Sequence, residues 1–196
     1  MLTRIRSHCR CDAGATLIEL LVVMVLMMVI GAVATNGMVR GMRVNASTQA
    51  RFDALADLQR SVDRMTRELR AAAPAQTGAA AVAVALPDRV SVTVFRNNFS
   101  EQRRFTYTYC PTQRRIYVQM EGPAPAPAGS APVQNCATPT GQVVITDVTN
   151  GATQPVFTYT STAAGQISTI GVSVRRAVQN FDPIEVRTLV RLRNVR

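Results

Sequence analysis

From Ala15 to Ala34 the chain reads ATLIELLVVMVLMMVIGAVA, a run interrupted by one charge, Glu19. At about 1.5 Å per residue, a helix of that length covers roughly 30 Å, the hydrocarbon thickness of a bilayer. The stretch Leu20–Ala34 is apolar on every face, whereas a helix at the surface of a soluble protein keeps a polar side. Arg4, Arg6 and Arg10 precede it against a single Asp12, a balance that holds the short leader in the cytoplasm and sends the rest across. The run is therefore read as one membrane-spanning helix. An ordinary secretory signal is the second reading, because Ala32-Val33-Ala34 is an A-x-A site and cleavage there would leave a soluble chain starting at Thr35. A lipoprotein signal does not fit: Cys9 and Cys11 come before the apolar run, not at its end.

Glu19 is the residue that needs an account. A carboxylate in hydrocarbon costs a few kcal/mol unless it finds a partner. Thr16-Leu17-Ile18-Glu19 has the spacing of a capping box, in which the glutamate merely closes the helix start. Alternatively, Glu19 awaits a positive charge from another chain. The octet Gly14-Ala15-Thr16-Leu17-Ile18-Glu19-Leu20-Leu21, behind its basic leader and ahead of the apolar helix, resembles the cleavage and methylation motif of type IV prepilins and type II secretion pseudopilins. That resemblance implies cleavage between Gly14 and Ala15 by prepilin peptidase, from the cytoplasmic side, and methylation of the new amine. It also implies an assembly role for Glu19, pairing with the N-terminal amine of an adjacent subunit in a filament core. Breaking such a pair would leave a buried charge, at a cost of about 3–5 kcal/mol. Ala15 departs from the phenylalanine that most members carry. Major pilins commonly have a proline early in the helix; here Gly31, Asn36, Gly37 and Gly41 occupy that region, so any bend or melting must come from glycine.

Beyond the apolar run, Arg40 to Ala73 reads as one amphipathic helix. Leu55, Leu58, Val62, Met65 and Leu69 recur three and four apart as one stripe, and Phe52 extends it backwards. Asp63 and Arg67 form a favourable i,i+4 pair, and Pro74 ends the helix. A helix continuous from 15 to 73 would make a stem of about 90 Å. The segment Leu58-Gln59-Arg60-Ser61-Val62-Asp63-Arg64-Met65 also resembles the stem of W-type minor pilins and J-type pseudopilins. Residues 75–88 are alanine-rich and read as a linker. The period then becomes two, with strand candidates at 90–94, 102–110, 114–120, 142–148, 155–160, 168–175 and 184–193. Pro111-Thr112-Gln113 marks a hairpin, and Pro123-Ala124-Pro125-Ala126-Pro127 a stiff surface loop.

No catalytic constellation stands out. The only histidine is His8, and with Cys9 and Cys11 it lies in a leader destined for removal, so no metal site and no cofactor are expected. Cys110 and Cys136 sit beyond the membrane segment, in an oxidising space; a bridge between them is favoured over free thiols. All 22 basic residues are arginine, which invites a nucleic-acid reading. However, Arg103-Arg104, Arg114-Arg115 and Arg175-Arg176 are adjacent pairs on predicted strands, where neighbours point to opposite faces. DNA ranks as the weaker partner.

These readings converge on an α+β chain. It comprises a leader at 1–14, a transmembrane or filament-core helix at 15–35, an amphipathic stem helix at 36–73 and an antiparallel β-sheet head at 74–196. The helical stem packs on the sheet, as in the pilin fold. The function expected is that of a non-enzymatic minor pilin or minor pseudopilin in the inner membrane, with its head outside the cytoplasm. Its partners would be prepilin peptidase, membrane lipid before assembly, and other pilin or pseudopilin subunits in an extracytoplasmic filament. The rival is a secreted or membrane-anchored β-rich binding domain, for DNA in a competence pilus.

Overall fold

The computed structural model describes residues 16–74, 80–96, 101–122, 131–151, 153–162, 165–178 and 181–193. One helix, α1 (Leu17–Arg70), is followed by eight strands among the described residues: β1 (Val82–Leu86), β2 (Arg89–Arg96), β3 (Glu101–Cys110), β4 (Arg115–Glu121), β5 (Gln142–Ile145), β6 (Phe157–Ser161), β7 (Ile167–Val178) and β8 (Phe181–Arg191). The chain divides into two compact units, Met1–Gln49 and Ala50–Arg196.

In the first unit, α1 is exposed at every residue from Leu17 to Ala46. Its hydroxyls turn back on its own backbone. Thr35 Oγ1 donates to the Gly31 carbonyl at 2.7 Å, and Ser47 Oγ to the Val44 carbonyl at 2.9 Å. Such back-bonding satisfies a hydroxyl without water.

In the second unit, α1 lays a stripe on the sheets. Leu58, Val62, Met65 and Leu69 are at most 2% exposed, because positions i, i+4, i+7 and i+11 fall on one face of a 3.6-residue helix. Leu55 is only partly buried against this core, and Phe52 is 62% exposed. The stripe thus starts later than the periodicity suggests. The helix ion pair is Arg64–Glu68 at 3.8 Å, one position along from the expected Asp63–Arg67. The helix also stops earlier than Pro74 requires. Ala72 bridges to Val94 and the Ala73 N–H donates to the Thr93 carbonyl, so the chain has joined the sheet before proline removes a donor.

The strands form two antiparallel sheets, ordered β1-β2-β3-β4-β5 and β6-β7-β8, where the sequence suggests one. Val90, Val92 and Val94 of β2, Phe105 and Tyr107 of β3 and Ile116 of β4 share a buried cluster with Ile170, Val172 and Val174 of β7 and the helix stripe. The sheets are also stitched directly: Val148 bridges to Arg176, and the Tyr159 hydroxyl donates to the Leu86 and Arg89 carbonyls. β1 lies inside the segment expected to be a linker. Its Val82, Val84 and Leu86 alternate with alanines, and it pairs antiparallel with β2.

The β3–β4 hairpin turns through Pro111–Arg114, with Arg114 at φ 55°. Cys110, the last residue of β3, is disulfide-bonded to Cys136. Gln113 Nε2 donates to the Cys136 carbonyl at 2.8 Å and Gln119 Nε2 to Thr140 Oγ1 at 2.5 Å, so the segment around 131–140 is fastened along β4.

Candidate functional site

The start of α1 is built by a threonine. Thr16 precedes the helix, and its Oγ1 accepts from the Glu19 N–H at 3.4 Å, the side-chain half of an N-cap. The cap uses the backbone of Glu19, not its carboxylate. The Glu19 side chain is exposed and makes no hydrogen bond or ion pair among the described residues. The reciprocal arm of a capping box is therefore not what fixes this carboxylate. Behind it Leu20, Leu21, Val22, Val23, Met24 and Val25 are each about half exposed, in a helix long and apolar enough to cross a membrane. Cβ atoms added at Gly31, Gly37 or Gly41 would meet nothing within 4 Å, yet α1 runs unbroken through all three.

Gly14 and Ala15 lie outside the described residues, as do His8, Cys9, Cys11 and the Pro-Ala tract at 123–127. Among the described residues no group of three His, Cys, Asp or Glu side chains could hold a metal ion.

The head's titratable groups are mostly committed to structure. Tyr107 donates its hydroxyl to Glu68 Oε2 at 2.5 Å, tying β3 to α1, and burial first, then Glu68, pushes its pKa well above the usual phenol range. Burial likewise raises Tyr159 and Tyr109. The arginine pairs are split by their surroundings. Arg104 is buried and pairs across strands with Glu121 at 3.4 Å, while Arg103 pairs with Glu101 at 3.1 Å. Arg176 reaches Asp57 of α1 at 2.8 Å, and Arg175 donates to Gln154 at 2.7 Å. The burial of Arg104 was hidden from sequence reasoning. Its strand neighbours Gln102, Thr106 and Thr108 are polar, so β3 looks half-solvated, yet Thr106 and Thr108 are also buried.

Comparison with known proteins places the decisive feature at the N-terminus. Residues 9–35 match the prokaryotic N-terminal methylation motif. No curated protein and no solved structure matches the chain. The motif leads into an exposed helix long and apolar enough to cross a membrane, followed by an antiparallel β head, the features that support a type IV pilin-like reading. The motif implies cleavage by prepilin peptidase and assembly with other pilin subunits.

Proposed function

We propose that the chain is a minor pilin or minor pseudopilin that works by assembly, not catalysis. Prepilin peptidase removes the leader 1–14 by cutting between Gly14 and Ala15 on the cytoplasmic side, and the new amine is methylated. The mature helix anchors the protein in the inner membrane with the head, 74–196, outside the cytoplasm. It then enters a type IV pilus or type II secretion pseudopilus.

The observation that carries this reading is the motif at 9–35 running into a helix without one buried residue up to Ala46. Fully burying a Leu, Val or Met side chain is worth about 1.5–3 kcal/mol, so such a surface demands lipid first and neighbouring helices afterwards. Glu19 deepens the argument: its carboxylate has no partner among the described residues, which suits a role in pairing with the amine of an adjacent subunit. The stem residues Leu58–Met65 support the W-type or J-type assignment within the class. The intrachain contacts of Arg103, Arg104, Arg175 and Arg176 weigh against a head that grips DNA through those pairs.

Intact mass and N-terminal sequencing of protein recovered from its native membrane test the reading. A chain starting at Ala15, one methyl heavier, is expected, and Gly14→Arg should block its appearance. A start at Thr35 would identify an ordinary secreted domain and remove Glu19 from the mature protein.

A further inference from the structure

Leu189 on β8 is 76% exposed, and it stands where two concavities meet. The first, about 760 Å³, is lined by Pro155, Thr158, Gly171, Ser173, Arg187 and Leu189 among others. Its floor is a rung with the middle side chain missing, because Gly171 of β7 pairs with Thr158 of β6 on one side and Leu189 on the other. A Cβ at 171 would lie 2.2 Å from Thr158 Oγ1 and 3.3 Å from Leu189 Cδ2. The trough therefore exists only because residue 171 is glycine.

The second concavity, about 530 Å³, brings Arg70, Arg191 and Arg193 around Leu189 and Leu192. No acidic residue lines it among the described residues. Four other arginines of the head are matched with acids: Arg103 with Glu101, Arg104 with Glu121, Arg176 with Asp57 and Arg187 with Glu185. Arg89, Arg114, Arg115 and Arg175 have no ion pair among the described residues but are not gathered in one concavity. Arg70, Arg191 and Arg193 have no ion pair among the described residues. The C-terminal end of α1 accounts for Arg70, since a helix end favours a cation. It does not account for the two arginines that β8 and its following residues bring to the same place.

We propose that this face of β7–β8 is a docking surface for an acidic peptide segment of another protein chain. An aliphatic side chain of the peptide occupies the trough over Gly171 against Leu189, and its carboxylates engage Arg70, Arg191 and Arg193. The charge is complementary, and the apolar trough gives the register that charge alone lacks. A nucleic acid fits less well. Among the described residues no aromatic side chain lines either concavity to stack a base. The proposal does not depend on the filament reading.

The test uses the full-length chain in detergent micelles and a fluorescein-labelled peptide, Gly-Leu-Gly-Glu-Glu-Glu, followed by anisotropy with empty micelles subtracted. Saturable binding is expected, weakened about tenfold by Arg191→Glu. A comparable loss is expected for Leu189→Ser, and for alanine in place of the peptide's leucine. Leu189 is exposed, so Leu189→Ser should leave the thermal transition in place and the loss is not one of folding. No saturable binding up to about 1 mM would overturn the proposal. So would binding indifferent to both leucines and shared by single-stranded DNA of equal charge, which would mark a nonspecific polyanion surface.

Discussion

The two units of this chain use the same residue types to opposite ends. Leu26, Met27, Val29 and Ile30 are 56–66% exposed, whereas Leu58, Val62, Met65 and Leu69, further along the same helix, are at most 2% exposed. The difference is one of period, not of hydrophobicity. Between Leu20 and Ala34 apolar residues cover the whole circumference, so no single neighbouring surface can bury them. Between Leu58 and Leu69 they form a stripe, and one pair of sheets suffices. The second unit makes its own core; the first buries none of its apolar residues from Leu17 to Ala46.

That division can be tested with one probe. All four tyrosines lie at or beyond residue 107 and there is no tryptophan, so tyrosine fluorescence of the full chain in detergent reports the head alone. Leu58→Ala should lower head stability by about 2–5 kcal/mol, while Leu26→Ala should leave the transition unmoved; equal losses would end the division. Replacing Cys110 and Cys136 by serine should cost about 3 kcal/mol, the loop-entropy value for the segment they close. A loss under about 1 kcal/mol would mean that the Gln113 and Gln119 hydrogen bonds already pin that segment.

Tyr107→Phe should cost about 1–3 kcal/mol by removing the hydrogen bond to the Glu68 carboxylate, which keeps only the longer contact with Arg64. The same variant sharpens a pH prediction. Tyr107 and Tyr159 have folded pKa values raised above the ordinary 10, so their contribution is complete below pH 10 and is lost as pH rises toward the folded values. Melting followed from neutral to alkaline pH should show stability falling above 10, and the fall should be shallower in Tyr107→Phe. Glu19→Ala, like Leu26→Ala, should leave the melt unmoved, because the cap uses its N–H and not its carboxylate. Its effect should appear instead as depleted recovery in sheared filaments; wild-type recovery would sink the charge-pair role.

Much of this was legible in the sequence because the signals are local. The apolar run, the octet from Gly14 to Leu21 and the stripe from Leu58 to Leu69 each depend on neighbours within a few turns. The β3–β4 hairpin was likewise marked by Pro111-Thr112-Gln113. What escaped was long-range. β1 alternates valine and leucine with alanine, and alanine-rich composition masks a period of two when the paired strand is not in view. The partition into two sheets is fixed by which strands meet, as with Val148 and Arg176, and no window of sequence contains both. Arg104 reads as a surface charge because its burial is decided outside its own strand.

The hydroxyls of α1 carry one more consequence. Thr35 and Ser47 spend their donors on carbonyls of the same helix, just as the main chain does beyond the first turn. Those two hydroxyls ask nothing polar of their surroundings, whereas the exposed Asn36, Arg40, Arg43 and Asn45 between them do. The stretch after Ala34 is thus set apart from the wholly apolar one before it by its charges and amides and not by its hydroxyls.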